Sequence, residues 1–319
     1  MARLSISITV DNFATQTTRG INQILSRGNV TNRDLSLERH LYEEITGKKL
    51  ENRRVAPLLA ANQNSENQHW MLAELVRFTP GMNDVFLNQL PFSEQHDSRD
   101  GAEQLLNECL GGYTVEAVQG APHLFLIGSK KPIDIEIHDT SATLGQPVSS
   151  VLPTGPSAIF WNAKINEMQM MFHELAHQLE LGVDRNKSPN GVWFWGNGYS
   201  EPPFISTVQV SPSCALGKAL TSATKATAIK IEDYFRDEII IKPTFIDLCG
   251  LDLNQYENVL EEIVKRAVVS LSKGTLTQIR INICRPNKVT QFDINRYSKW
   301  KIWRKPSRLN GLMREVYDG

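Results

Sequence analysis

Long apolar runs are missing from this chain: none approaches 18 residues, and the N-terminus has no basic stretch leading into an apolar segment. Neither a membrane-spanning helix nor an export signal is expected, and the reading is a cytoplasmic protein with no membrane partner. An excess of one charge is missing as well. Thirty-four basic residues against thirty-five acidic ones leave a formal net charge of -1, which supplies no global field for a phosphate backbone. Nucleic acid could then be held only by a local patch. Cysteine is scarce: Cys109, Cys214, Cys249 and Cys284 lie far apart, with no pair at metal-ligand spacing and no need for a disulfide scaffold. Histidine stops early, since none of the seven follows His177.

Hydrophobic residues make up 41% of the 319, enough for a large core in one big domain or two modest ones. Alternation in 4–10 predicts an opening strand, and helical periodicity follows over 35–45. The run from Trp70 to Phe78 is too short for periodicity to separate helix from buried strand. A helix over 102–110 ends at Gly111-Gly112, and a hairpin of 113–118 with 123–127 follows. A long helix covers 158–181, with Ile165, Met168, Phe172, Leu175 and Leu179 on one stripe. The run from Gly191 to Gly198 reads as a buried strand ending in flexible glycines, in which at least one of Trp193 and Trp195 anchors the core. Strands are expected at 205–210 and 238–241, with one helix or two over 213–229. A helix over 255–271 stops at Gly274, and a terminal hairpin pairs 276–284 with 289–294. The pattern is α/β, with a mixed sheet flanked by helices.

Five groups of residues could carry chemistry. In His173-Glu174-Leu175-Ala176-His177 the two histidines share a helix face and could hold zinc, with Glu174 activating the bound water. A peptidase site needs a third protein ligand, for which Glu180, Asp184 and Glu201 are the nearest candidates, and the same helix carries a core stripe that could absorb a histidine. Asn166, Glu167 and Gln169 precede His173 and could aim a polar or metal-assisted site at a cleft, or serve a hydrogen-bond network toward Trp193. In 133–138 alternation sets Asp134, Glu136 and His138 opposite three isoleucines, which suits either a metal-bridged face with Asp139 nearby or an ordinary half-exposed strand. Gly196-Asn197-Gly198 could present amides to an anion, although it lacks the P-loop continuation and equally suits a close-packed turn. The tail from Arg296 to Arg308 interleaves basic residues with Tyr297, Trp300 and Trp303, a composition that can stack bases or dock a C-terminus.

Several ordered blocks carry a family resemblance: Leu152-Pro153-Thr154-Gly155, Ile165-Asn166-Glu167-Met168-Gln169-Met170, His173, Asn190 to Gly196, and the terminal strands leading to Trp300. Together they resemble a bacterial family named phosphoglycerate-mutase-like, or regulatory protein of the RpfE type. The match spans roughly 101–308, which divides the chain into a divergent region 1–100, integral or not to the main fold, and a main region 101–319. The family's helix continues past the His173 position into a second histidine, where this chain has Leu175. Its block around Trp70 carries proline and histidine, where this chain has Leu75 and Arg77. The name implies a reduced alkaline-phosphatase-like architecture. It also implies kinship with enzymes that transfer phosphate through a serine nucleophile and two metal ions, such as zinc or manganese. No matching ligand set is visible here. The expectation is a regulatory or accessory protein with an unknown protein or small-metabolite partner. One alternative is a metal-dependent phosphotransferase or phosphatase using Asp134, His138, Glu167 and His173; the other is a zinc metallopeptidase using His173, Glu174 and His177.

Overall fold

A computed structural model describes residues 2–9, 19–49, 55–61, 66–89, 99–178, 188–200, 204–231, 242–250, 259–285 and 288–298. The fold is α/β, with a mixed sheet flanked by helices. Its chain forms two compact units, one of 1–48 with 205–319 and the other of 49–204.

The first unit is built on a seven-stranded sheet in the order β2-β12-β11-β1-β10-β8-β9. Its strands are β1 (Arg3–Thr9), β2 (Asn29–Asp34), β8 (Gln209–Ser211), β9 (Thr227–Ala228), β10 (Thr244–Asp247), β11 (Gln278–Arg285) and β12 (Lys288–Asn295). The pairs β11-β1, β1-β10, β10-β8 and β8-β9 are parallel, while β12 runs antiparallel to both β11 and β2. The helices are α1 (Arg19–Ser26), α2 (Leu37–Thr46), α7 (Ala215–Ala223) and α8 (Val259–Lys273). Alternation decides which face each strand residue serves. Leu4, Ile6 and Ile8 of β1, Ile246 of β10 and Ile279, Ile281 and Ile283 of β11 pack into one core with Ile21 and Leu25 of α1 and Leu260, Ile263 and Val264 of α8. The residues between them, Ser5 and Ser7, Phe245 and Asp247, Asn282 and Cys284, are buried too, and they turn toward α2, where His40 meets Phe245 edge-on at 6.4 Å. The opening strand, the helix after 35 and the terminal hairpin stand close to their predicted places. Residues 3–9 are thus integral to this sheet.

The second unit holds an antiparallel sheet of β3 (His69–Pro80), β4 (Val85–Gln89), β5 (Thr114–Ala117), β6 (Leu124–Ser129) and β7 (Gly191–Tyr199). Its helices are α3 (Val55–Ala60), α4 (Arg99–Cys109), the short α5 (Thr140–Thr143) and α6 (Ala158–Gln178). The ambiguous run at Trp70 is the long central strand β3, and β5 with β6 is the expected hairpin. On β7, Trp193, Phe194 and Trp195 are all buried, because β7 lies against β3 on one side and α6 packs on it as well.

Two expectations change. Of the proposed 205–210 strand only 209–210 is strand, within β8, and the region 213–229 is one helix ending at Ala223 followed by the edge strand β9. Thr224 closes that helix by donating its hydroxyl to the Leu220 carbonyl at 2.7 Å. Lys225 with φ 49 then turns the chain out of it. The proposed strand at 238–241 lies outside the described residues, as does the tail beyond Ser298.

Candidate functional site

The carboxyl ends of the parallel strands in the first unit gather a buried polar cluster. The chain leaves β8 through α7 toward β9 on one side, and leaves β10 through α8 toward β11 on the other. In open α/β sheets such a reversal opens a crevice in which ligands bind. Here the protein fills it. Asp247, the last residue of β10, accepts hydrogen bonds at Oδ2 from the amides of Ser213 and Cys214, both at 3.0 Å, and at Oδ1 from the amide of Cys249 at 2.9 Å. Ser213 Oγ accepts from the Gly250 amide at 2.8 Å. Gly250 passes so close that a Cβ there would stand 2.7 Å from the Cys214 nitrogen, so only glycine fits. Cys214 is the N-cap of α7, its sulfur accepting from the Gly217 amide at 3.3 Å. The amides that would cradle an anion at this helix start are turned onto a carboxylate from the neighbouring strand.

One strand over, Asn282 of β11 donates to Ser5 Oγ, the Ile6 carbonyl and Ser7 Oγ at 3.0, 3.2 and 3.3 Å, and Ser7 Oγ meets His40 Nε2 at 2.7 Å. Cys249 packs on the small cluster that holds Cys284. A hydrogen bond from the Cys249 thiol draws the Cys284 thiol down to about 6, against the opposing effect of burial and with help from the charge of His40. Burial alone would lower His40; the negative charge of Cys284, its hydrogen bond and Glu44 together raise it. Each shift favours the charged form, imidazolium at His40 and thiolate at Cys284. Cys249 is raised well above the usual thiol range, chiefly by its hydrogen bond to Cys284, and Cys214 is raised by burial and the nearby Asp247 charge. Of the three thiols, only Cys284 is shifted toward the thiolate.

None of these residues stood out in the sequence, because 35 or more positions separate neighbouring members of the set Cys214, Cys249 and Cys284. The available signal was positional: each cysteine lies at or just past the end of a parallel strand.

The residues singled out from the sequence belong to the second unit. Asp134, Glu136 and His138 are exposed, while Ile133, Ile135 and Ile137 are buried, as alternation required. That stretch is held as extended chain: Glu136 and Thr154 exchange backbone hydrogen bonds at 2.9 Å, and Asn197 Nδ2 donates to the Ile133 and Ile135 carbonyls at 3.1 and 3.0 Å. The backbone carbonyl of His138 accepts from Trp193 Nε1 at 2.9 Å. Asp139 is buried at the start of α5. Glu167 is exposed and pairs with Lys164 at 2.7 Å, a contact that holds its carboxyl below the usual range. His173 and Glu174 are exposed on α6. His177 is on the same helix, its side chain outside the described residues together with Glu180, Asp184 and Glu201. Among the described residues no group of three or more His, Cys, Asp or Glu side chains is placed to hold a metal ion.

Gly196-Asn197-Gly198 is neither an anion loop nor a turn. It is a bulge in β7, where the register against β3 shifts between Trp70 and Leu72 and Gly196 takes φ 68. In the same sheet the Glu74 carboxylate, buried under β3, accepts from Thr140 Oγ1 at 2.6 Å and Trp195 Nε1 at 2.9 Å. Glu74 thus locks two core elements together.

No family model matches the chain, and no curated protein matches it. Among solved structures it is similar to the cofactor-independent phosphoglycerate mutase from Thermoplasma acidophilum DSM 1728, at 14% identity over 93% of this chain and 90% of that one, with a TM-score of 0.40. It is also similar to the PH0037 protein from Pyrococcus horikoshii, at 9% identity over 92% and 87% of the two chains, with a TM-score of 0.45. These are distant likenesses in the course of the chain, and no residue's role is taken from them. The narrower family resemblance rests on the sequence blocks alone. Among the described residues no helix is long and apolar enough to cross a membrane.

Proposed function

We propose that this chain is a cytoplasmic, phosphoglycerate-mutase-like accessory or regulatory protein, which acts by binding a protein or small metabolite rather than by turnover at its sheet edge. The observation that supports this reading is the bonding of Asp247. Its two carboxylate oxygens take three backbone amides from the loops after β8 and β10, so the residue best placed to reach a ligand in the crevice closes it instead. A carboxylate engaged this way acts as a brace, because leaving buried amides unpaired costs about 1–3 kcal/mol apiece.

The substitution Asp247→Asn tests the brace. The amide side chain keeps one accepting oxygen and turns a donor toward backbone N–H groups. A loss of about 2–3 kcal/mol in urea unfolding is expected, on the scale of charged hydrogen bonds. Unchanged stability accompanied by loss of a measurable binding or turnover activity would instead make Asp247 a working carboxylate and overturn the reading.

A further inference from the structure

At the opposite edge of the same sheet, where β12 ends and β11 begins, the first unit encloses a second feature that shares no residue with the cysteine cluster. A cavity of about 310 Å³ opens between the last turns of α1 and α8 and the end of β12. Its inner wall is aliphatic: Leu271 and Ile294 are buried, and Ile24 and Val268 pack on the hydrophobic core from its margin. Its outer wall is cationic. Arg27 stands just past the end of α1, and Arg296 lies in the turn after β12, where its guanidinium donates to Tyr297 Oη at 2.5 Å and stacks 4.8 Å from the ring centroid. Among the described residues no acidic side chain lines the space and no carboxylate pairs with Arg27.

The size sits at the small end of the roughly 300–1,000 Å³ common to ligand cavities, whose mark is an apolar body with a few convergent polar groups. The two helix ends contribute about half a negative charge each, which two full guanidinium charges outweigh. An apolar slot with a positive mouth is complementary to an anion carrying a short aliphatic body. We propose that this cavity binds a small acyl carboxylate, its chain among Ile24, Val268, Leu271 and Ile294 and its carboxylate at Arg27. Arg296, already engaged by Tyr297, adds field rather than the direct contact.

Isothermal titration calorimetry of the full chain with octanoate and with octan-1-ol, at low salt, separates the charge from the apolar body. The wild type should bind the acid at least about tenfold tighter than the alcohol, on the scale of one charge-assisted hydrogen bond. Arg27→Ala should bring the two ligands within about twofold of each other. Val268→Trp should abolish binding of both, with the thermal midpoint retained; if that variant unfolds, Ser272→Trp on the exposed lip must block both ligands in its place. Absence of octanoate binding, equal affinity for acid and alcohol in the wild type, or an acid preference that survives Arg27→Ala would each overturn the proposal. The fate of Asp247→Asn bears on none of these outcomes.

Discussion

His40 is fully buried and Cys284 is 3% exposed, so charge on either one has to be held by the other and by a few hydrogen bonds instead of by water. Taking one partner away from such a pair strands the other. The pair also makes stability depend on pH. A thiol held below its unfolded value adds stability above that value and loses it as pH falls through the folded one. A histidine held above its unfolded value adds stability at low pH and loses it as pH rises through the folded one. For Cys284 the window runs from about 6 up to the ordinary thiol value of about 8.5. Cys284→Ser removes the titrating sulfur and lets burial return His40 to its neutral form. The stability gap between wild type and this variant is expected to widen as pH rises through the lower part of that window, until His40 loses its proton. Urea unfolding at a series of pH values measures it, and a gap independent of pH would contradict the pair.

Elements whose own side chains form a face were legible in the sequence. The alternation of β1, the stripe of α6 from Ile165 through Met168 to Phe172 and the paired runs of β11 and β12 each required one buried side and received it, while Leu175 of that stripe is half-buried and Leu179 lies outside the described residues. Strand β2, Asn-Val-Thr-Asn-Arg-Asp, was not legible, since it is mostly exposed and owes its conformation to pairing along β12, a long-range contact that no local pattern announces. The bulge in β7 is a similar case. Gly-Asn-Gly reads locally as a turn, yet β3 continues alongside it, and the extra length is absorbed at Gly196. A Cβ there would have its nearest neighbour, Val55, at 3.5 Å, so space is adequate and only the positive φ opposes a side chain. Gly196→Ala should therefore cost about 1–2 kcal/mol, the penalty of a left-handed L-residue. Chemical denaturation would show it, and a loss well above that range would mean that the bulge tolerates no added atom.

For the whole molecule, the division into two units explains why sequence reasoning found motifs in one place and the structure found its buried charge cluster in another. Motifs are local, and the second unit is a continuous stretch, so its β5-β6 hairpin, β7 and its Asp134-to-His138 alternation could be read directly. The cluster of the first unit is assembled from both ends of the chain, with Ser7 and His40 from one and Cys214, Asp247, Cys249 and Asn282 from the other. Only the parallel pairing of β1 with β10 and β11 brings them together. Where the chain leaves and re-enters this unit, Ser206 Oγ donates to the Ile45 carbonyl at 2.5 Å, so the two junctions adjoin. Replacing residues 49–204 by a short Gly/Ser linker should leave a unit that unfolds cooperatively, with helix and strand signals in circular dichroism. A product without a cooperative transition would show that the first unit cannot stand alone. The reading of the protein as a binder is tested most directly by assaying the native chain, purified without chelator and supplied with Mn²⁺ or Zn²⁺, for phosphate release from p-nitrophenyl phosphate and from phosphoglycerates. The account predicts no release above the metal-containing buffer; metal-dependent turnover that disappears on His138→Ala or His173→Ala, with the fold intact, would contradict it.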